Sequence, residues 1–342
     1  MLKEISIMRP LLIALLVVYH AFIIYGGGWN KPTGFIVIPA YNHIVWWSYA
    51  FMLEAFTFMS GYIYIYSCRK KGVDDLRNLI VKKAKRLLLP MVLFGVLYFV
   101  CFQDYESIRK SVYEILNGAG HLWYLTMLFW CFVETWLLMQ GKIDERIKLA
   151  GVAFLAIFCS WMPIPFRIAT SFYYLFFFYL PVLIVDRREI IFEKVRSNPV
   201  RTLIISWGLF FFSFVLIRYV AHFPRAVEGP SMVIKALLLS LNNMMQMVYS
   251  TLGVVAFYLT ALLIAGTSEP VSKDSLLFKV GNYCFGVYIF QQFVLKGLYY
   301  YTPIPGIVGP YVLPWAGAFT ALVVSFVLVS LIRLTRIGRL IL

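Results

Sequence analysis

The sequence predicts an all-α protein, a polytopic membrane helical bundle of about ten transmembrane helices. Of its 342 residues, 61% are hydrophobic and only 14% are charged, whereas about 25% of an average soluble domain is charged. The mean hydropathy is +0.80. Too few charged side chains are present to cover a soluble protein of this size, and the apolar content is too high for a disordered chain. A polytopic membrane protein is the class that remains.

Ten apolar segments are long enough to cross a bilayer, which takes about 20 residues of helix. They are residues 6–26, 44–67, 87–103, 121–139, 149–166, 168–185, 202–221, 237–265, 280–300 and 311–332. The sequence contains no repeat and no loop long enough for a separate catalytic domain. We therefore expect one membrane-embedded domain over residues 1–342, with its chemistry within or at the edge of the membrane.

The basic residues predict the orientation of these segments. Of the 31 lysine and arginine residues, 22 lie in one alternating set of loops, as expected for loops on the cytoplasmic side. The set comprises Lys3 and residues 69–86, 142–148, 187–201, 273–279 and 333–339. We expect both termini to be cytoplasmic, which agrees with an even number of spans. The net charge of +15 is thus explained by topology and does not predict a nucleic-acid partner.

The cysteines and the N-terminus predict no covalent processing. The five cysteines form no CxxC pair, and four of them lie within apolar segments, so we expect neither a disulfide framework nor a metal site. Lys3 and Arg9 precede an apolar stretch as in a signal peptide, but no convincing small-residue cleavage site follows. We interpret the stretch as the first span.

The first segment carries two ionisable side chains, Arg9 and His20. Such groups cost about 3 kcal/mol each in hydrocarbon, so they mark functional positions. Their spacing puts them on nearly one helix face, about 16 Å apart along the axis, and we expect that face to line a polar cavity. His20 can serve as a general base, because an imidazole titrates near neutral pH. Alternatively, His20 bonds a neighbouring helix and Arg9 anchors the interface.

The second segment carries Glu54 and the pair Ser60-Gly61. A carboxylate inside a span should have a partner, so Glu54 either pairs with a cation or relays a proton. Ser-Gly pairs allow a second helix to approach closely, and packing is the alternative to a substrate contact for Ser60.

The loop over residues 69–86 holds 8 of those 22 basic residues. Its charge can be a topology signal that also attracts anionic lipid head groups. It can equally hold the phosphates of an anionic cytoplasmic ligand. The candidate phosphate-binding residues are Arg69, Lys82, Lys83 and Arg86.

Polar and aromatic stripes supply candidate substrate contacts in later segments. Asn243 and Gln246 lie on one face of the eighth segment, and Tyr288 and Gln291 on one face of the ninth. Each stripe lines a wet cavity or bonds to another helix. The pair Trp123 and Tyr124 begins the fourth segment, where aromatic residues otherwise form an interfacial belt.

Taken together, these segments resemble the membrane-bound type-3 acyltransferases, the polysaccharide O-acetyltransferase family. The resemblance runs from residue 9 to the ninth segment, and its motifs keep the family's order. They are Arg9-x10-His20, the stretch Phe56-Thr57-Phe58-Met59-Ser60-Gly61-Tyr62, Lys83-x-x-Arg86 before Pro90, His121-Leu122-Trp123-Tyr124-Leu125, and more weakly residues 282–289. The chain departs from the family at Glu54, where proline is more usual, and at Cys284 and Gln291, where serine and histidine are frequent.

The resemblance implies transfer of an acyl group, with acetyl expected, from cytoplasmic acyl-CoA to a hydroxyl of a cell-surface or lipid-linked saccharide at the bacterial inner membrane. It implies catalysis by His20 and Arg9, with Glu54 orienting or reprotonating His20, and donor binding by the basic loop. His20 would be either the general base or a transient acyl carrier. A transporter or flippase for lipid-linked saccharides is the alternative, although it does not require the Arg9-x10-His20 spacing or a localised basic loop. The oligomeric state is not predicted.

Overall fold

The computed structural model describes residues 2–103, 107–220, 231–266, 271–272 and 274–341. The described residues are 82% helical and contain no strand. The all-α prediction is therefore confirmed. The helices form two compact units, one of residues 1–52 with 269–342 and the other of residues 53–268.

The first unit is built from both ends of the chain. Its helices are α1 (Lys3–Phe22), α2 (Pro39–Tyr49), α13 (Leu276–Tyr300), α14 (Ile304–Val308), α15 (Leu313–Ile332) and α16 (Arg336–Ile341). Helix α1 packs against α2, α13 and α15, and α13 packs along α15. A Cβ on Gly286 would overlap the side chain of Val329, so glycine is what lets α13 and α15 approach closely.

The second unit contains the middle of the chain. Its helices are α3 (Met52–Lys71), α4 (Leu76–Lys83), α5 (Leu89–Phe102), α6 (Ile108–Leu116), α7 (Trp123–Gln140), α8 (Glu145–Phe158), α9 (Ile168–Tyr179), α10 (Arg188–Ser197), α11 (Pro199–Val215) and α12 (Met232–Ala265). A π-helical turn over Ala84–Leu88 joins α4 to α5. Within the unit, α9 packs between α7 and α8, and α11 packs along α12.

Local chemistry sets several helix ends. The side chains of Asp75, Asp144, Ser231 and Ser275 cap the first turns of α4, α8, α12 and α13 by accepting backbone N–H groups. Helix α12 ends at Gly266, which has a φ of 64° and hence the left-handed conformation that glycine adopts most easily.

Seven helical stretches of the described residues are long and apolar enough to cross a membrane. They are Lys3–Phe22, Leu76–Phe102, Gly120–Gln140, Ile168–Ser197, Pro199–Val220, Met232–Ala265 and Leu313–Ile332. The protein is thus a multi-pass membrane protein, but the count of ten spans is not confirmed. Each of the ten predicted segments does contain a helix.

Three predicted spans fall outside this count for two physical reasons. Helix α8 has only 14 residues, or about 21 Å of helix, against about 30 Å of hydrocarbon. Helices α3 and α13 are long enough, but α3 carries Glu54 and a basic C-terminal turn, and α13 carries Lys279 and Lys296. An odd count of seven lends no support to termini on the same side, so that orientation stays a prediction.

Candidate functional site

The imidazole of His20 is held between two adjacent glutamines of the first unit. Its Nδ1 lies 3.1 Å from Oε1 of Gln291, and its Nε2 lies 2.9 Å from Nε2 of Gln292. His20 sits two residues before the end of α1, and both glutamines lie on α13, the helix that packs against α1. All three side chains are buried.

The two amides select one tautomer of the ring. An amide oxygen can only accept a hydrogen bond, so Nδ1 of His20 carries the proton and donates it to Gln291. An amide NH₂ group can only donate, so Nε2 of His20 is unprotonated and accepts from Gln292. With the amides oriented as in the structure, His20 is a neutral imidazole whose basic nitrogen is Nε2.

Aromatic rings surround this imidazole. The indole of Trp29 lies parallel to it, with the ring centroids 6.0 Å apart and an interplanar angle of 4°, and the ring of Tyr19 lies at 5.0 Å. Nζ of Lys296 lies 5.6 Å from the Trp29 ring centroid. Trp29 belongs to the loop between α1 and α2, where Gly27 and Gly34 have positive φ values of 79° and 82°. The loop therefore places the indole face of Trp29 beside His20, and α13 places Lys296 near that indole.

Arg9 lies at the other end of the same helix. Its Nη1 donates to the backbone oxygen of Gly281 at 3.4 Å. Between Arg9 and His20, the side chains of Ile13 and Val17 are 5% and 0% exposed. The structure packs this face of α1 instead of opening it to water, contrary to the polar cavity that the spacing of Arg9 and His20 suggested.

One polar atom of Gln291 has no hydrogen-bond partner among the described residues. Its Nε2 is buried and contacts no hydrogen-bond acceptor in the part of the chain that the structure describes. A buried N–H without a partner costs about 1–3 kcal/mol. The atom is therefore a donor that a substrate oxygen would satisfy.

Glu54 lies in a polar cluster of the second unit. Its Oε1 accepts from the hydroxyl of Tyr173 at 3.3 Å and from Nε2 of Gln246 at 3.2 Å. Its Oε2 is buried without a hydrogen-bond partner among the described residues. Gln246 thus bonds to another helix, which is one of the two alternatives for its stripe. A link from Glu54 to His20 stays a prediction.

The remaining candidate substrate contacts on α3 and α7 take part in helix packing. Ser60 donates to the backbone oxygen of Phe56 in its own helix. The hydroxyl of Tyr124 lies 3.1 Å from Oγ1 of Thr57, and the guanidinium of Arg167 lies over the ring of Trp123. A Cβ on Gly61 would overlap the backbone oxygen of Phe178, so the predicted close approach at Ser60-Gly61 is confirmed.

Two further candidates contact protein groups as well. Nδ2 of Asn243 donates to Oγ of Ser160 at 2.8 Å, which ties α12 to the end of α8. Tyr288 is buried on α13, and its ring stacks with Phe285 at 6.5 Å. Their proposed substrate contacts stay predictions.

The segment predicted as a basic loop is mostly helical, because α3 extends to Lys71 and α4 and the π-helical turn follow. The predicted donor-binding cations on these elements are in different environments. Arg69 pairs with Asp186 at 3.5 Å, and Lys82 pairs with Asp74 at 3.0 Å. Nζ of Lys83 lies 3.5 Å from the ring centroid of Phe132 and 5.7 Å from that of Tyr64. Arg86, in the π-helical turn, is exposed.

Three residues beside His20 were not among the predicted site residues. Gln292 directly follows Gln291, but adjacent residues of a helix point about 100° apart, so it lies off the face of the ninth-segment stripe, and Lys296 is not part of that stripe either. Trp29 lies in a loop, where periodicity gives no signal. Among the described residues, no group of His, Cys, Asp and Glu side chains could hold a metal ion.

The comparison with known families agrees with a multi-pass membrane protein. The sequence model of a family described as an acyltransferase domain matches residues 2–334, nearly the whole chain. No curated protein and no solved structure matches the chain. The matched residues include all the predicted motifs from Arg9 onward. An acyltransferase needs an acyl donor, an acceptor and a base. The chain belongs to the membrane-bound type-3 acyltransferase family and is a membrane-embedded O-acyltransferase.

Proposed function

We propose that this protein transfers an acyl group, with acetyl expected, from acyl-CoA to a hydroxyl of a cell-surface or lipid-linked saccharide, and that His20 is its general base. One observation carries the proposal. The amides of Gln291 and Gln292 hold His20 as a neutral ring with Nε2 unprotonated, which is the state that a general base requires before it takes a proton.

The first step is removal of the hydroxyl proton by Nε2 of His20. In the resting state that nitrogen accepts from Gln292, so the Gln292 amide must turn away when the acceptor hydroxyl binds. Nδ1–H of His20 keeps its bond to Gln291 throughout. The Gln291 oxygen accepts a stronger, charge-assisted hydrogen bond from the imidazolium than from the neutral ring. This bond therefore stabilises the protonated form of His20.

The hydroxyl oxygen attacks the thioester carbonyl carbon as its proton moves to Nε2. The tetrahedral intermediate collapses by breaking the carbon–sulfur bond, and the proton on Nε2 passes to the departing CoA thiolate. Two amide donors are available for the negative charge on the carbonyl oxygen, Nε2 of Gln291 and the NH₂ group of the displaced Gln292. Nε2 of Gln291 is in place before the substrates bind, and one such preoriented donor can lower the activation free energy of acyl transfer by about 3 kcal/mol.

The neighbours of His20 suit a saccharide acceptor. The face of Trp29 offers an apolar surface to the C–H groups of a sugar ring, and Lys296 beside it can donate to hydroxyl or acidic groups. Tyr288 and Gln291 contribute further contacts from α13. The candidates of the second unit, Ser60, Trp123, Tyr124, Asn243 and Gln246, remain proposed acceptor contacts.

The donor side is proposed at the basic loop, on the cytoplasmic face of the bacterial inner membrane. Arg86 is exposed and can pair with a phosphate of CoA without breaking an ion pair. Arg69 and Lys82 would first have to exchange Asp186 and Asp74 for phosphate. Arg9 would guide the pantetheine or pyrophosphate part of the donor towards His20, with both termini cytoplasmic.

A transient acyl-His20 is the second form of this chemistry. Nε2 would attack the thioester itself, CoA would leave, and the hydroxyl would then take the acyl group from the ring. Both routes need Gln292 to move. Incubation with radiolabelled acetyl-CoA and no acceptor, followed by rapid acid quench, separates them, because only an acyl carrier becomes labelled in proportion to the enzyme.

The test of the proposed function is mass spectrometry of surface glycans from cells with and without the gene. We expect a glycan species heavier by one acyl group only when the gene is present. Cells carrying His20→Gln should lack it, while cells carrying His43→Gln, which replaces an exposed histidine of α2, should retain it. A flippase would change the amount of exported glycan but not its mass, and that result would contradict the proposal.

A further inference from the structure

A groove opens on the second unit where α10, α11 and α12 meet. Its volume is about 480 Å³. The rim at one end is polar and includes Lys194, Asn198 and Arg201, and the walls are apolar, formed by Leu209 of α11 and Leu252 and Val255 of α12. The structure therefore contains a concave surface whose character changes from basic to apolar along its length.

The two cations at the rim have no acidic partner. No described residue forms an ion pair with Lys194 or Arg201, and both side chains are exposed. Two other basic residues of this unit do have one: Arg69 pairs with Asp186, and Lys148 pairs with Glu145. The rim thus carries two positive charges with no ion-pair partner among the described residues of the second unit.

The apolar walls run into the membrane-spanning part of the two helices. Arg201 lies near the start of the span Pro199–Val220, and Leu209 follows eight residues later, about 12 Å deeper at 1.5 Å per residue. On α12, Leu252, Val255 and Leu259 recur at spacings of three and four, so they share one helix face. The indole N–H of Trp207 donates to Oγ1 of Thr260 and links the two helices at 3.0 Å.

We propose that this groove binds one anionic phospholipid, with its phosphate between Lys194 and Arg201 and an acyl chain along Leu209 and Val255. The charges select a negative head group, and the depth of the apolar walls selects a hydrocarbon chain. Asn198 at the rim offers amide hydrogen bonds to the phosphate or glycerol oxygens. A bound lipid would join α10, α11 and α12 at the membrane surface.

This occupant fits better than the other molecules that a basic groove attracts. Inorganic phosphate would leave the apolar walls uncovered, and a zwitterionic lipid would bring its own cation to a rim that already has two. Juxtamembrane lysine and arginine residues attract anionic lipid by about 1 kcal/mol each, which is about fivefold in affinity. Two residues should therefore account for about 25-fold.

The test is a titration of the purified full-length protein in detergent with phosphatidylglycerol, read by native mass spectrometry. We expect one phosphatidylglycerol to bind at concentrations where phosphatidylcholine does not. Lys194→Gln combined with Arg201→Gln should weaken that binding by about 25-fold. A matched variant, Lys142→Gln with Arg146→Gln, removes the same charge from two exposed residues outside the groove and should bind nearly as the unmodified protein does.

A second variant tests the binding of the lipid's acyl chain independently of its head group. Val255→Trp fills the groove without changing the charge, and we expect it to abolish lipid binding while the thermal unfolding temperature stays within a few degrees. Inorganic phosphate, which leaves the apolar walls uncovered, should compete only weakly with phosphatidylglycerol for the unmodified protein. Equal loss in both charge variants, equal binding of the two lipids, or normal binding by a folded Val255→Trp variant would each overturn the proposal.

Discussion

Nδ1 of His20 lies 3.1 Å from Oε1 of Gln291, although 271 residues separate them along the chain. The contact joins α1 near the N-terminus to α13 near the C-terminus, and it fixes which nitrogen of the ring is basic. The neighbouring Gln292 bonds that basic nitrogen in the resting state. Two adjacent glutamines therefore have opposite roles, one holding the ring and one occupying the position of the acceptor hydroxyl.

Replacement of Gln291 should slow acyl transfer without unfolding the protein. In Gln291→Leu, the buried Nδ1–H loses its acceptor, which costs about 1–3 kcal/mol, so we expect kcat to fall about tenfold to 100-fold. Gln291→Glu keeps an oxygen acceptor and should restore part of the loss. The measurement is kcat in lipid nanodiscs, with thermal unfolding of each variant as the control for folding.

The contrast with Gln292 makes this prediction specific. Gln292→Leu removes a group that the acceptor must displace, so its kcat should fall less than that of Gln291→Leu, and the KM for the acceptor should not rise. Equal loss in the two leucine variants would indicate general disruption of the pocket and would contradict the separate roles of the two amides.

Glu54→Gln tests whether the carboxyl group of α3 carries a proton. The glutamine retains an oxygen that can accept from Tyr173 and Gln246, but it cannot donate and recover a proton. If Glu54 orients or reprotonates His20, as the family resemblance implies, kcat should fall at least about tenfold with unchanged stability. A rate equal to that of the unmodified protein would make Glu54 a packing residue of the second unit only.

Replacing Gly61, the one glycine of α3, with a larger residue should destabilise the protein. A Cβ there would overlap the backbone oxygen of Phe178, so Gly61→Ala must push two helices apart and should destabilise the protein by about 2 kcal/mol. Gly208→Ala is the matched control, because nothing lies within 4 Å of its Cβ position in α11. Unfolding in detergent checks both, and a Gly61→Ala protein as stable as the control would refute this packing.

Replacing Lys83 should change the stability of the protein, whereas replacing Arg86 should change its KM for acyl-CoA. Lys83 lies over the rings of Phe132 and Tyr64, and such contacts contribute about 1 kcal/mol, so Lys83→Gln should lower the unfolding temperature. Arg86 is exposed, so Arg86→Gln should raise the KM for acyl-CoA with little effect on unfolding. An unchanged KM for acyl-CoA in the Arg86→Gln enzyme would mean that Arg86 does not bind the donor and contributes only to membrane topology.

The sequence was sufficient to predict the helices but not the number that span the membrane. Apolar runs marked every long helix because a run of that length cannot be exposed to water. The fifth segment was predicted over 149–166, yet α8 ends at Phe158, ahead of Pro163 and Pro165, which cannot continue a regular helix. Hydropathy counts the neighbours Met162, Ile164 and Phe166 as apolar and takes no account of the break in the helix, so it overestimates the span.

The site was predictable where chemistry depends on one helix and not where it depends on two. Arg9 and His20 could be identified because ionisable residues are rare inside spans. Gln291 could be named from its stripe, but Gln292 could not, since only the packing of α13 on α1 brings two adjacent residues to opposite sides of one ring. Asn243 has the same spacing signal as Gln246, yet it bonds Ser160 and ties helices together.

The central claim is that His20 is the general base of acyl transfer, and the direct test is the acyl-transfer rate of purified His20→Gln in lipid nanodiscs with acetyl-CoA and the acceptor saccharide. We expect a rate about 10²–10⁴-fold below that of the unmodified protein, with His43→Gln unaffected and all three proteins unfolding at similar temperatures. A folded His20→Gln protein that transfers acetyl within threefold of the unmodified rate would contradict the claim.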